Sequence, residues 1–232
     1  MKNYFYLLFA VCLVSSALLL TSSCNKDEDD KGPNAALYGP SEQPFGKSLA
    51  GWTQEYWEKV MLLDCNTIFV PQVLTLDNNL SAFHFLTIDT TVDITISKNN
   101  ALFISLVSIL YDYPCPDSTF QPAPGQSLED FLKASAKEDI DGIVNLQTTY
   151  DGDTLQNLSD YRLSTDLFNF TANATLGGCF DFCITGQSQP GVIDGYIVIF
   201  KKLPVGLHTI TMHGEIPSYP YTWDTTVNIT VD

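Results

Sequence analysis

The chain has 232 residues and a formal net charge of −16 at pH 7, from 27 acidic and 11 basic residues. This balance argues against nucleic acid as a partner, because phosphates are bound by Lys and Arg. It also argues against a domain that lies flat on an anionic membrane. Hydrophobic residues make up 45% of the chain and aromatic residues 12%, which is enough for a sizeable core.

The first 23 residues are typical of a secretory signal peptide. Lys2 precedes an apolar stretch from Tyr4 to Leu20, and small polar residues follow. Cys24 comes next, and this ending resembles a bacterial lipobox. The resemblance implies that Cys24 is acylated and becomes the first residue of the mature protein. Two alternatives stay open: Cys24 is an ordinary buried or disulfide-forming residue, or the apolar stretch is retained as a membrane-spanning helix.

The residues after Cys24 are similar to the surface-export signal of Bacteroidota lipoproteins. They imply an outer-membrane protein that is lipid-anchored and faces the cell exterior. Residues 24–45 are rich in charged residues, Gly and Pro, which predicts a tether, and residues 46–232 are expected to form a β-sandwich domain. The residues of the export signal are Lys26, Asp27, Glu28, Asp29 and Asp30.

Four further cysteines in an oxidising compartment predict two disulfides. Three pairings can be drawn, and the short spacing of the last two favours one within that pair and one between the first two. A thiolate metal site is the alternative, but no histidine lies at ligand spacing to these cysteines. Neither a metal nor a cofactor is therefore predicted. The four residues are Cys65, Cys115, Cys179 and Cys183.

Two short helices are predicted. The first runs from Leu49 to Leu63 with Ser48 as its N-cap, and its aromatic stripe, which includes Trp57, is typical of a core or a docking surface. The second begins at Ser127, which is followed by acidic residues as in a capping box, and runs to about Glu138.

The rest of the chain is β-like. Short runs rich in Val, Ile, Thr and Phe alternate with turn residues, which favours an antiparallel Ig-like β-sandwich. The continuous apolar run at 101–110 predicts a central strand that is buried on both faces. The predicted strands are 67–76, 82–88, 91–96, 101–110, 143–150, 154–158, 180–185, 196–200, 207–215 and 222–231.

Several motifs are similar to a family of uncharacterised secreted bacterial proteins with an Ig-like β-sandwich. The similarity covers about residues 46–231 and implies a fold, but it supplies no activity. The motifs are Gly46–Trp52 with Tyr56-Trp57, the apolar strand from Ala101 that leads to Pro114-Cys115, Tyr161–Ser164, Asp194–Tyr196 and Leu203–Ile210.

No nucleophile elbow, phosphate loop, dinucleotide fingerprint or zinc-binding helix motif is present, so no catalytic residue is predicted. The sequence favours a non-catalytic module that binds a glycan, a peptide or a partner protein. A hydrolase with two loop carboxylates about 5–10 Å apart in one cleft is the alternative, as is a structural subunit of an outer-membrane complex. The candidate ligand contacts are Tyr111, Tyr113, Tyr221, Trp223 and Arg162.

Arg162 is the only arginine in the chain. Its guanidinium could clamp a carboxylate or a phosphate of a ligand. Alternatively, it is a structural anchor that pairs with Asp160, Asp166 or a backbone carbonyl.

Overall fold

The computed structural model describes residues 32, 34–77, 79–86, 90–218 and 220–232. The predicted signal peptide, Cys24 and the export signal from Lys26 to Asp30 lie outside the described residues. The helices are α1 (Leu49–Val60) and α2 (Leu128–Asp141), with short 3₁₀ turns at Pro44–Gly46, Leu158–Tyr161 and Ala174–Gly178. The strands are β1 (Gln72–Asp77), β2 (Leu80–His84), β3 (Thr90–Ile96), β4 (Ala101–Asp112), β5 (Val144–Tyr150), β6 (Asp153–Thr154), β7 (Arg162–Ser164), β8 (Phe168–Thr171), β9 (Ser188–Phe200), β10 (Gly206–Ile216) and β11 (Tyr221–Val231).

The strands form two sheets. Sheet A has the order β1-β2-β4-β9-β7, with β8 also paired to β9, and sheet B has the order β3-β11-β10-β5-β6. The prediction of a mainly β fold with two helices is confirmed. The prediction that the sheets are wholly antiparallel is wrong, since β2 and β4 are parallel, as are β3 and β11. The chain crosses to sheet B at β3 between β2 and β4, and such a crossover lets β4 return in the direction of β2.

The core lies between the sheets and under helix α1. Leu102 and Ile104 share one face of β4, Phe103 points to the other, and all three are completely buried. The ring of Phe103 lies 4.9 Å from that of Tyr56 on α1. The expectation that this strand is buried on both faces is therefore confirmed for its first half.

Both predicted helix caps are present. The hydroxyl of Ser48 accepts a hydrogen bond from the backbone N–H of Gly51, and that of Ser127 accepts one from Asp130. Each cap satisfies an N–H group that has no partner within its own helix. None of the helices in the described part of the chain is long and apolar enough to cross a membrane.

The domain begins earlier than the predicted boundary at residue 46. Leu37 is 2% exposed and forms a β-bridge with Phe200. The indole N–H of Trp52 donates a hydrogen bond of 2.8 Å to the carbonyl of Pro44. Burial of these few apolar groups holds the last part of the predicted tether on the domain, although its composition is polar.

All four predicted cysteines form disulfides, but the favoured pairing is wrong. Cys65 is bonded to Cys179, and Cys115 is bonded to Cys183. The predicted strand over residues 180–185 is also wrong, because these residues form turns. The turns direct the two cysteines toward different segments of the chain, a feature that sequence spacing does not report.

Candidate ligand-binding groove

Strand β4 has a strand neighbour on one side for only about a third of its length. β2 pairs with it from Ala101 to Ile104, whereas β9 pairs with it as far as Asp112. Among the described residues, the segment 105–112 therefore has a strand partner only in β9. The other edge of this segment lines a groove.

The hydrogen bonds that β9 forms on its other side show which main-chain groups of β4 point toward the groove. Ile193 donates its N–H to the hydroxyl of Thr165, and its carbonyl accepts the N–H of Thr165, so both groups point away from β4. Leu110 is directly opposite Ile193 and Ser108 is opposite Gly195. Leu110 and Ile193 are therefore a pair without hydrogen bonds between them, and in an antiparallel sheet such pairs recur at every second residue. Ser108 and Gly195 form the next pair of this kind, so the N–H and C=O groups of Ser108 and Leu110 point away from β9 toward the groove.

Two cavities lie end to end along this edge. One has a volume of about 180 Å³ and borders residues 105–108, and the other has about 490 Å³ and borders residues 108–112. Trp57, Leu86 and Ser108 belong to both linings. We call the two adjoining cavities together, with residues 105–112 as their floor, the edge groove.

Aromatic side chains form both walls of the edge groove. On the α1 side, Trp57 is followed by Phe180 and Phe182, the latter with 62% of its surface exposed. On the other side, Tyr221 comes from sheet B, and Phe120 stacks on Tyr111 with the ring centres 5.6 Å apart. The groove can therefore bury apolar groups on either side of its floor.

The hydroxyl groups on the floor are engaged with one another. The indole N–H of Trp57 donates to the hydroxyl of Ser108 at 3.0 Å, and this hydroxyl lies 2.7 Å from that of Ser105. This series of hydrogen bonds links helix α1 to the groove floor. The main chain is therefore the chief source of hydrogen-bonding groups for a ligand there.

One end of the edge groove is acidic. Asp112 is 3% exposed, and burial together with the nearby charge of Asp181 raises the pKa of its carboxyl to about 7. Gln189 donates a hydrogen bond to Asp112. Ligand-type atoms of Asp112, Asp181 and Cys183 lie within 4.8 Å of one another. The sulfur of Cys183 is bonded to Cys115, so this group offers two carboxylates rather than a thiolate metal site.

Three of the five predicted contact residues line the edge groove: Tyr111, Tyr221 and Trp223. The hydroxyl of Tyr111 donates to Asp139 at 2.7 Å. Trp223 is only 5% exposed, because it lies over Gly214, where a Cβ atom would come within 2.2 Å of the indole ring. Tyr113 does not line either cavity.

Arg162 lies elsewhere, between α2 and sheet A. Its Nε donates to Asp194 at 3.0 Å and its Nη1 to Asp141 at 2.5 Å. These bonds raise the pKa of Arg162, although partial burial opposes the effect. The arrangement fits the structural anchor that the sequence left open, with partners other than Asp160 and Asp166.

Sequence reasoning did not identify Phe182, Asp112 or Asp181 as groove residues. The only signals were an acidic residue at the end of an apolar run and an aromatic–acid–aromatic triplet between two cysteines. Trp57 was singled out as part of an aromatic stripe, but its position at the junction of the cavities depends on how α1 packs.

Comparisons with known proteins give little guidance on this groove. No family model matches the chain, and no curated protein matches it. Two solved structures are similar over 67% of this chain and 100% of their own: PbICP-C, in a complex with falcipain-2, and amebosin, in solution. Their identities are 10% and 14%, with TM-scores of 0.23 and 0.22. This likeness is too weak to support an argument, so the groove is interpreted from its own geometry.

Proposed function

We propose that this protein is a lipid-anchored protein of the outer membrane that binds a glycan, a peptide or a partner protein at the cell exterior, without catalysing a reaction. The anchor and the export signal are supported by the lipobox-like Cys24 and the residues Lys26 to Asp30. The binding function is supported by one structural observation above others. The two adjoining cavities of the edge groove have aromatic walls, and their linings include Tyr111, Tyr221 and Trp223.

For the fold, we propose that the two mixed sheets are a variant of the Ig-like sandwich that the family resemblance implies. The shared core between the sheets supports this, for example the contact of Tyr150 with Phe200 at 5.2 Å between ring centres.

The binding function can be tested with arrays of glycans and of peptides, probed with the full-length protein in detergent. Phe182→Ser removes an exposed aromatic ring from the groove wall, whereas Leu207→Ser removes an exposed apolar side chain, 82% accessible, that lines neither cavity. Loss of array binding in Phe182→Ser, with binding retained in Leu207→Ser, is the expected result. Equal binding by both variants would remove the groove from the proposal, and an absence of binding to any array would count against the binding function.

A hydrolase is the second candidate, because one observation favours it. Asp112 and Asp181 both line the groove, and their carboxylate oxygens lie within 4.8 Å. Retaining glycosidases hold two carboxyl groups about 5–5.5 Å apart, one of them with a raised pKa. Release of products from an arrayed polymer, abolished in Asp181→Asn, would favour the hydrolase over the binding module.

A further inference from the structure

We infer that the ligand of the edge groove is an extended polypeptide segment of about seven residues, which pairs with β4 as an additional strand and carries a Lys or Arg at the Asp112 end. The length follows from the eight residues of the floor, 105–112, one of which is the extra residue of the β-bulge between Ser105 and Val107. This inference rests on the proposed binding function and names the ligand class.

The main chain of β4 offers the repeat that a strand needs. Ser108 and Leu110 direct their N–H and C=O groups toward the groove at a spacing of two residues. An extended peptide that runs along this edge supplies a complementary N–H and C=O at the same spacing. Addition of a peptide strand to an exposed sheet edge derives its affinity from such bonds and its specificity from the pockets on either side.

The walls fit a strand as well. Successive side chains of an added strand point to opposite faces of the sheet. One set would face Trp57 and Phe182 on the α1 side, and the other set would face Tyr221 and Phe120. Both sets therefore meet aromatic surface, which favours apolar residues at both alternating positions of the ligand.

The charge of the groove selects the end at which a cation lies. Asp112, Asp117 and Asp181 line the larger cavity, and no Lys or Arg is found among the described residues that line either cavity. A basic side chain at this end of the peptide would meet the carboxylates of Asp117 and Asp181. The net charge of −16 adds a general attraction for a cationic ligand.

A glycan fits the same groove less well. Sugar hydroxyls are usually held by side-chain polar groups, but Ser105 and Ser108 are already bonded to each other and to Trp57, and Asp112 is bonded to Gln189. A second copy of the domain also fits less well. A second copy would carry the same net charge of −16, which opposes its docking at the acidic end of the groove.

The inference is tested with a phage-displayed library of random dodecapeptides, selected on the full-length protein in detergent. The best binder is synthesised with one N-methyl group at each backbone nitrogen in turn. An added strand directs every second N–H toward β4, so methylation at alternate residues should weaken binding by roughly tenfold or more, and at the residues between by much less. Equal effects at all positions would overturn the inference.

The charged end is tested with Asp181→Asn, and Asp153→Asn in the exposed β5–β6 hairpin serves as the matched control. The first variant should reduce the preference for Lys or Arg over norleucine at one end of the peptide, whereas the control should leave it unchanged.

Binding of arrayed glycans without any peptide binder would overturn the peptide inference and leave the binding function standing. Self-association abolished by Phe182→Ser would overturn it in favour of a second copy. No binding to peptides or glycans, and no self-association, would overturn both proposals.

Discussion

The indole N–H of Trp57 donates a hydrogen bond of 3.0 Å to the hydroxyl of Ser108, and this bond joins helix α1 to strand β4 where the two cavities of the edge groove meet. Trp57 is 5% exposed, so its N–H has little access to water. The helix wall and the strand floor are therefore held together by a group that is costly to leave unpaired.

Ser108→Ala should lower the free energy of unfolding by about 1–3 kcal/mol, because it leaves the indole N–H of Trp57 without an acceptor. Trp57→Phe combined with Ser108→Ala should cost less than the sum of the two single changes, since each removes the same bond. Urea denaturation measures these differences. Ser164→Ala, at an exposed serine of β7, is the control and should change stability by less than about 0.5 kcal/mol. Strict additivity in the double variant would contradict the coupling.

Peptide mapping under non-reducing conditions should find Cys65 joined to Cys179 and Cys115 joined to Cys183. The residues of these bridges are separated by 114 and 68 positions. In the chain-entropy model each bridge stabilises the fold by about 4 to 5 kcal/mol, by restricting the unfolded chain. Replacing Cys65 and Cys179 together by Ala should therefore lower the denaturation midpoint strongly. A peptide that contains a Cys179–Cys183 bridge would contradict the structure.

Asp112 should make the protein less stable as the pH rises. Burial, and next the charge of Asp181, raise its pKa to about 7 in the folded state, whereas an unfolded aspartate has a pKa of about 3.9. The folded state thus favours the protonated carboxyl, and this contribution is complete below about pH 4 and lost as the pH rises through 7.

Asp112→Asn removes this dependence and keeps an acceptor for Gln189. The difference in free energy of unfolding, variant minus wild type, should therefore increase between pH 4 and pH 8, by at most about 4 kcal/mol. Asp153→Asn controls for the loss of an exposed carboxylate. A difference between Asp112→Asn and the wild type that stays constant over this range would show that Asp112 is not held protonated.

Membrane anchoring should depend on Cys24. Cys24→Ala should abolish labelling by a fatty-acid analogue, because the acylated thiol is lost. Replacement of Lys26 to Asp30 by neutral residues should leave labelling intact and remove the protein from the reach of protease added to whole cells. Unlabelled wild-type protein would contradict the anchor, and unchanged protease sensitivity would contradict the export signal.

Local patterns predicted the parts of the fold that depend on local interactions. Ser48 and Ser127 marked the helix starts because capping involves residues within one turn of each other. The apolar run from Ala101 identified the central strand because burial on both faces requires it. The parallel pairing of β2 with β4 could not be predicted in this way, because it depends on β3 belonging to the other sheet.

The candidate site was predicted only in part, because it too depends on contacts between segments that are distant in the sequence. Tyr111 and Tyr221 were identified as aromatic candidates for ligand contact, but no local pattern in the sequence connects these two distant segments. The groove that includes both arises because β2 ends at His84 while β4 continues to Asp112. Cys179 and Cys183 illustrate the same limit, since their partners are set by turns that no pattern in the sequence encodes.

The central claim is that a peptide pairs with the edge of β4 that faces the groove, and amide hydrogen exchange resolved by residue tests it most directly. Ile109 and Tyr111 direct their N–H groups toward β9 and should be protected with or without ligand. On saturation with the dodecapeptide selected from the library, the amides of Ser108 and Leu110 should slow by roughly tenfold or more, while those of exposed hairpin residues such as Asp153 keep their rates. Unchanged exchange at Ser108 and Leu110 with the peptide bound would contradict strand addition at this edge.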